Sequence, residues 1–183
     1  PRQDGDASDT LLGVGGDGLQ NGSEYAVSFV LRNNATAQAS PSISVQAWVR
    51  SSAGPYVGEG VYERMSKAGV NALGVFEGAD PLLVHVPGFV TKAIGQSNPL
   101  ASASNRLTVT LVPDCDMAAG SNVTVSGLTG TRTVDDEGLA MDAGSSVSLG
   151  GTARWVQGSG MLTLQVQGEK LANGSTYVVS FVV

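Results

Sequence analysis

The sequence predicts an all-β protein of β-sandwich units, Ig-like or of a related topology, arranged as two lobes whose ends continue into, or exchange strands with, neighbouring units. Three observations carry that prediction. A turn-and-strand segment, Leu19 to Leu31, returns as Leu171 to Val183, 152 residues further on, with nine of thirteen positions identical. Several runs alternate apolar and polar residues with β-branched side chains, the pattern of a half-buried strand. Finally, Gly occurs 25 times while charged residues make up only 14% of the chain. That mixture favours tight turns and short strands and weakens helices.

From the N-terminus, residues 1–9 read as an acidic tail or linker. Residues 10–98 form a first β-rich lobe, which opens with the terminal hairpin of a preceding repeat. Ser42 to Val49 alternates and predicts a strand. Val61 to Ala72, with Tyr62, Met65 and Val70 loosely periodic and Gly69 against them, predicts a short helix or turn. Ser97 to Asn105 is rich in Ser, Ala and Asn and reads as a linker. Residues 99–183 form a second sandwich lobe with strands at Leu107–Val112, Asn122–Ser126, Thr152–Val156, Leu162–Gln167 and Tyr177–Val183. The last two are expected to pair as a hairpin across Asn173-Gly174, a dipeptide that tolerates the positive φ of tight turns. The whole spans little more than one period of a repeat, as a piece of a long array would. It starts at Pro1 with no signal peptide, and so reads as a fragment or processed form.

The 42% of hydrophobic residues suffices for a packed core. A formal charge of −6 disfavours nucleic acid as a partner. No apolar run reaches the ~20 residues of a membrane span; the longest candidate, Pro81 to Val90, is broken by His85, Pro87 and Gly88. Cys115 is the only cysteine, so it is a free, buried thiol or pairs between chains.

Four Asn-x-Ser/Thr sequons, at Asn21, Asn34, Asn122 and Asn173, are candidate N-glycosylation sites. Asn21 and Asn173 hold equivalent turn positions in the two repeat copies, where a bulky glycan would face solvent, although Asn-Gly is also good turn chemistry by itself. Ser40-Pro-Ser42 and the Ser/Thr-rich linkers are compositional candidates for O-glycans or hydroxyproline glycans. In a chain this poor in charge, sugars would supply solubility and shield strand edges.

Residues with catalytic or metal-binding chemistry are sparse. His85 is the only histidine, and no Gly-x-Ser-x-Gly elbow accompanies it; its neighbours Leu82 to Pro87 mark a strand-face position. One histidine and one cysteine do not complete a zinc site in one chain. Asp4 to Asp9 lacks the glycine and distal glutamate of a calcium loop. Asp114, Asp116 and Asp135-Asp136-Glu137 read as solvated loop acids, and Gly13 to Gly18 lacks the Lys-Ser/Thr of a P-loop. Trp48, Trp155 and Tyr56 could form a sugar-stacking platform, but both tryptophans sit in alternating strands and are expected to pack in the core. No cofactor other than covalent glycans is expected, and the chain is not expected to be an enzyme.

Leu107-Thr-Val-Thr-Leu, Asn122-Val-Thr-Val-Ser-Gly-Leu-Thr-Gly130, Trp155 followed by Gly160-Met-Leu-Thr-Leu, and the Leu-x-Asn-Gly-Ser-x-Tyr-x-Val-Ser-Phe segment together resemble a repeat of very large surface proteins of algae and other protists. The resemblance covers residues 105–183 and again 10–45. It implies tandem β-sandwich units in an extracellular glycosylated fibre or coat, with no catalytic residues. The expected function is therefore a structural building block of an extracellular filament or cell-surface coat. Its expected partners are copies of itself or adjacent repeats, and glycans. The alternative is a cell-surface adhesin or carbohydrate-binding module.

Overall fold

A computed structural model describes residues 12–13, 18–49 and 58–183 of the chain. The predicted tail, the Asp4 to Asp9 run, the middle of the Gly13 to Gly18 run and Tyr56 lie outside the described residues. The chain divides into two units, Pro1–Arg32 and Asn33–Val183.

The second unit is nearly all β. It begins with short strands β1 (Ser44–Val45), β2 (Trp48–Val49), β3 (Gly58–Glu59) and β4 (Glu63–Arg64). The pairs β1–β4 and β2–β3 are antiparallel and nested, so residues 43–49 and 58–65 make one irregular ribbon. The helix or turn expected at Val61–Ala72 is not helical. Met65 N–H instead continues the ribbon to the Ile43 carbonyl at 2.9 Å. Periodicity from three apolar residues did not outweigh Gly69, whose φ is +60°.

The remaining strands are β5 (Phe89–Gln96), β6 (Arg106–Pro113), β7 (Asn122–Val125), β8 (Asp136–Ala140), β9 (Thr152–Val156), β10 (Met161–Gln165) and β11 (Tyr177–Val182). They form two antiparallel sheets with orders β7-β10-β9-β8 and β11-β6-β5. Residues 97–105 are the turn of the β5–β6 hairpin, not a linker between lobes: Ser97 N–H bonds the Arg106 carbonyl at 2.9 Å and the two strands pair from Gln96↔Leu107 to Phe89↔Pro113. A boundary at residue 98/99 would cut that hairpin.

The sheets share one core. Leu107, Val109, Leu111, Val179 and Phe181 on one side meet Val123, Ala153, Trp155, Leu162 and Leu164 on the other. Each set comes from strict alternation, as in Thr152-Ala-Arg-Trp-Val, where Ala153 and Trp155 are buried and Thr152 and Arg154 exposed. Trp155 is fully buried, and its Nε1–H donates to the Thr133 carbonyl at 3.0 Å, so the indole loses no hydrogen bond on burial. Its removal from water is worth about 4–6 kcal/mol at ~25 cal/mol per Å².

The expected β10–β11 hairpin is absent. β10 pairs with β7 and β9, whereas β11 pairs with β6 in the opposite sheet. Residues 166–176 cross between the layers, with Val166 and Leu171 buried on the way. Residues 114–121 make the matching crossover from β6 to β7, and the two connections are tied by the Met117↔Leu171 bridge. An Asn-Gly turn is present, but it bends the entry to β11 and does not join two neighbouring strands.

Candidate functional site

The free edges of the sandwich differ. β11 pairs on one side with β6, and its other edge is covered by residues 142–146. There Ser146 N–H and Asp142 N–H donate to the Val178 and Ser180 carbonyls, both at 2.7 Å. The Ser146 and Ser145 hydroxyls accept from Val178 and Ser180 N–H at 2.9 and 3.0 Å. Such a cover removes the template for edge-to-edge pairing.

Among the described residues β5 and β7 have no such cover. Each is the last strand of its sheet, and residues of both line one cleft. Between them opens a cleft of about 350 Å³ lined by Phe89, Ile94, Val109, Leu111, Val123 and Val125. Ile94 pairs with Val109 and Lys92 with Leu111, both core-facing residues of β6. Directly opposed residues share a sheet face, so Ile94 points to the inter-sheet side. It is nevertheless 51% exposed. The layer facing β5 ends at β7, one strand short.

The first unit contains the counterpart of β11. In Leu19 to Leu31 the local turn is that of Leu171 to Val183. Gln20 N–H donates to Tyr25 Oη at 2.8 Å, as Ala172 N–H does to Tyr177 Oη at 2.8 Å. Ser23 N–H reaches the Gln20 carbonyl at 3.3 Å, and Ser175 N–H the Ala172 carbonyl at 3.2 Å. Gly22 and Gly174 have φ of +76° and +72°, a region open to glycine. The surroundings are opposite. Leu171, Val179 and Phe181 are fully buried, whereas the equivalent Leu19, Val27 and Phe29 are each about three-fifths exposed. No strand is assigned among the described residues of this unit.

A second cluster gathers polar chemistry where the chain enters β5 and leaves β6. His85, Asp114 and Cys115 place their donor atoms within 4.8 Å of one another. His85 Nε2 lies 3.2 Å from Asp114 Oδ1, which also accepts from Gly88 N–H at 2.8 Å. Burial pushes the Asp114 carboxyl up, but the Gly88 N–H and His85 bonds outweigh it and hold the group below its ordinary value. Burial, followed by the nearby Asp114 and Asp116 charges, pushes the Cys115 thiol up. Sequence reasoning counted one histidine and one cysteine and stopped; the fold adds Asp114 as a third donor. Imidazole, carboxylate and thiol are ligand types that suit zinc. Here, however, His85 and Asp114 bond to each other, with the Cys115 sulfur within 4.8 Å of both. Cys115 is a free, buried thiol.

The remaining candidates separate. Trp155 is in the core and Trp48 is 46% exposed on the ribbon, so the two tryptophans form no common platform. The core expectation holds for Trp155 and fails for Trp48, which the short ribbon strand β2 leaves half-exposed. Asp116 is bound by Lys170 through Oδ2 and by Asn173 N–H through Oδ1 at 2.9 Å. Asp135 accepts from Gln157 N–H at 2.7 Å, Asp136 from Gly138 N–H at 2.8 Å, and Glu137 holds Arg154 at 2.9 Å. These acids fix turns and strand ends.

All four sequon asparagines are exposed. Asn34 Oδ1 accepts from Ala35 N–H at 2.7 Å, and Asn122 starts β7. Asn173 is the most constrained: its Nδ2 donates to the Gly74 carbonyl at 2.7 Å, and a Cβ on Gly74 would stand 2.6 Å from Asn173 Cβ. Among the described residues no helix is long and apolar enough to cross a membrane. Compared with protein-family models, curated proteins and solved structures, the chain matches none.

Proposed function

We infer that the chain is a structural building block of an extracellular, glycosylated filament or cell-surface coat, whose units join through β-strand contacts. One observation carries this reading: the segment Leu19–Leu31 has the sequence and turn geometry of a core strand, yet its apolar side chains face solvent within its own unit. A seven-residue stretch as apolar as Tyr25-Ala-Val-Ser-Phe-Val-Leu is an aggregation hazard unless it has a partner. A neighbouring unit of the same kind supplies that partner, and strand addition to an open sheet edge is a general way for it to do so.

The exposed sequons and low charge agree with a glycan-coated extracellular polymer, as does the resemblance to repeats of giant protist surface proteins. Electron microscopy of natively isolated material is the test. Filaments or sheets with a regular repeat support the reading. Discrete particles that stay monomeric at high concentration overturn it.

A further inference from the structure

We propose that the cleft between β5 and β7 is the acceptor for the Tyr25–Leu31 segment of a second copy of this chain, which enters as an added strand and closes the open side of the sandwich. The proposal rests on the filament reading above and assigns its joint.

The two halves match in chemistry. In β11 the buried side chains alternate: Val179 and Phe181 face the core, while Val178, Ser180 and Val182 are less buried. The equivalent alternation in the first unit puts Tyr25, Val27, Phe29 and Leu31 on one face and Ala26, Ser28 and Val30 on the other. That apolar face is matched by Phe89, Ile94, Leu111, Val123 and Val125 in the cleft, which Lys92, Thr124 and Ser126 also border. It would cover Ile94, the large aliphatic side chain that points inward without a facing layer.

The two halves also match in backbone demand. The slot that the sequence equivalence itself names, beside β6 and away from β5, is already filled by β11, and the outer edge of β11 is covered by Ser145 and Ser146. The vacant main-chain edges of the sandwich that border an apolar surface are those of β5 and β7. Tyr25–Leu31 carries no proline, so every residue can donate to a ladder. Asn122 and Thr124 alternate with the inward Val123 on β7. Thr124 nevertheless borders the cleft, whereas Asn122 itself does not line it.

Full-length chain carrying Phe29→Asp or Ile94→Asp tests the joint, because both residues are exposed and neither change opens the core. Each variant is expected to lower assembly at least tenfold, by sedimentation and electron microscopy, with the dispersed chain keeping its thermal midpoint. Val147→Asp, at an 88% exposed position away from the cleft, is expected to assemble normally. Hydrogen exchange on wild-type assemblies gives an independent readout. Amides of 25–31, 89–96 and 122–125 are expected to gain protection over the dispersed chain.

Assembly that fails with Phe29→Asp but survives Ile94→Asp overturns the cleft and leaves the filament reading standing. So does protection gained at 25–31 together with faster exchange at 177–182, the mark of β11 being displaced by its counterpart. Wild-type chain that never assembles overturns the filament reading itself.

Discussion

Tyr177 Oη accepts the backbone N–H of Ala172 at 2.8 Å, tying the start of β11 to the turn that delivers it. Tyr25 makes the same bond to Gln20, also at 2.8 Å, but no strand is assigned among the described residues of its unit. A five-residue closure of this kind is therefore a local property of the Leu-x-Asn-Gly-Ser-x-Tyr sequence, the same in both copies.

Removing that hydroxyl separates the two copies. Tyr177→Phe leaves the partly buried Ala172 N–H without its acceptor and is expected to destabilise the sandwich by about 1–2 kcal/mol. Tyr25→Phe, in the exposed copy, is expected to leave the sandwich's urea midpoint unchanged. Equal losses from both substitutions would show that the first copy already contributes to the sandwich in the dispersed chain.

Trp155 anchors the core. Trp155→Ala removes the largest fully buried side chain and strands the Thr133 carbonyl, and is expected to cost about 3–5 kcal/mol in chemical denaturation. Trp155→Phe keeps most of the volume and is expected to cost less than half as much. Trp48→Ala, on the half-exposed ribbon, is expected to cost far less.

The contrast between these tryptophans shows what alternation can and cannot reveal. Strands β6, β9, β10 and β11 were legible because every second residue is buried against a facing sheet. β5 was not: Phe-Val-Thr-Lys-Ala-Ile-Gly-Gln places Lys92 and Ile94 on a face with nothing opposite, so no apolar stripe was required of it. That same missing layer is the cleft. The path of β10 into β11 was misread as a hairpin because alternation and Asn-Gly report local geometry, whereas the choice of sheet is fixed by the burial of Val166 and Leu171 in the crossover. The meeting of His85 with Asp114 and Cys115, 29 and 30 positions later in the chain, had no local signal at all.

The acid limb of stability is expected to depend on two aspartates. The hydrogen bond from Lys170, then that from Asn173 N–H, lowers the Asp116 carboxyl below its ordinary 3.8. Asp114 is also lowered: burial raises it, but the bonds from Gly88 N–H and His85 outweigh that. A depressed folded value means the ionised form is favoured by the fold. The stabilisation is therefore complete above the ordinary value and is lost as pH falls through the folded one. Urea midpoints are expected to fall below about pH 4, and Asp116→Asn is expected to show a shallower fall, measured from pH 7 to pH 2.5. An unchanged slope would remove Asp116 from the account.

Cys115 is expected to be unreactive. It is 5% exposed, and burial and the two flanking carboxylates favour its thiol over the nucleophilic thiolate. Iodoacetamide at pH 8 is expected to label the native chain at least tenfold more slowly than the same chain in urea, as followed by intact mass. Rapid native labelling would mean that the crossover 114–121 opens readily, and with it the tie between Met117 and Leu171.

Glycan occupancy is expected to differ between the paired sequons. Attachment at Asn173 must take place on the nitrogen that already donates to the Gly74 carbonyl, beside a backbone so close that glycine is required there. Asn21, its counterpart in the repeat, lies in the same turn with an exposed side chain. Site-resolved mass spectrometry of native material should find Asn21 mostly occupied and Asn173 mostly bare. Substituting Gly74 with Ala should not rescue Asn173, since the added Cβ would crowd it further. Equal occupancy would require the 72–78 loop to dock on Asn173 only after glycosylation, making that contact a late event in the assembly of the second unit.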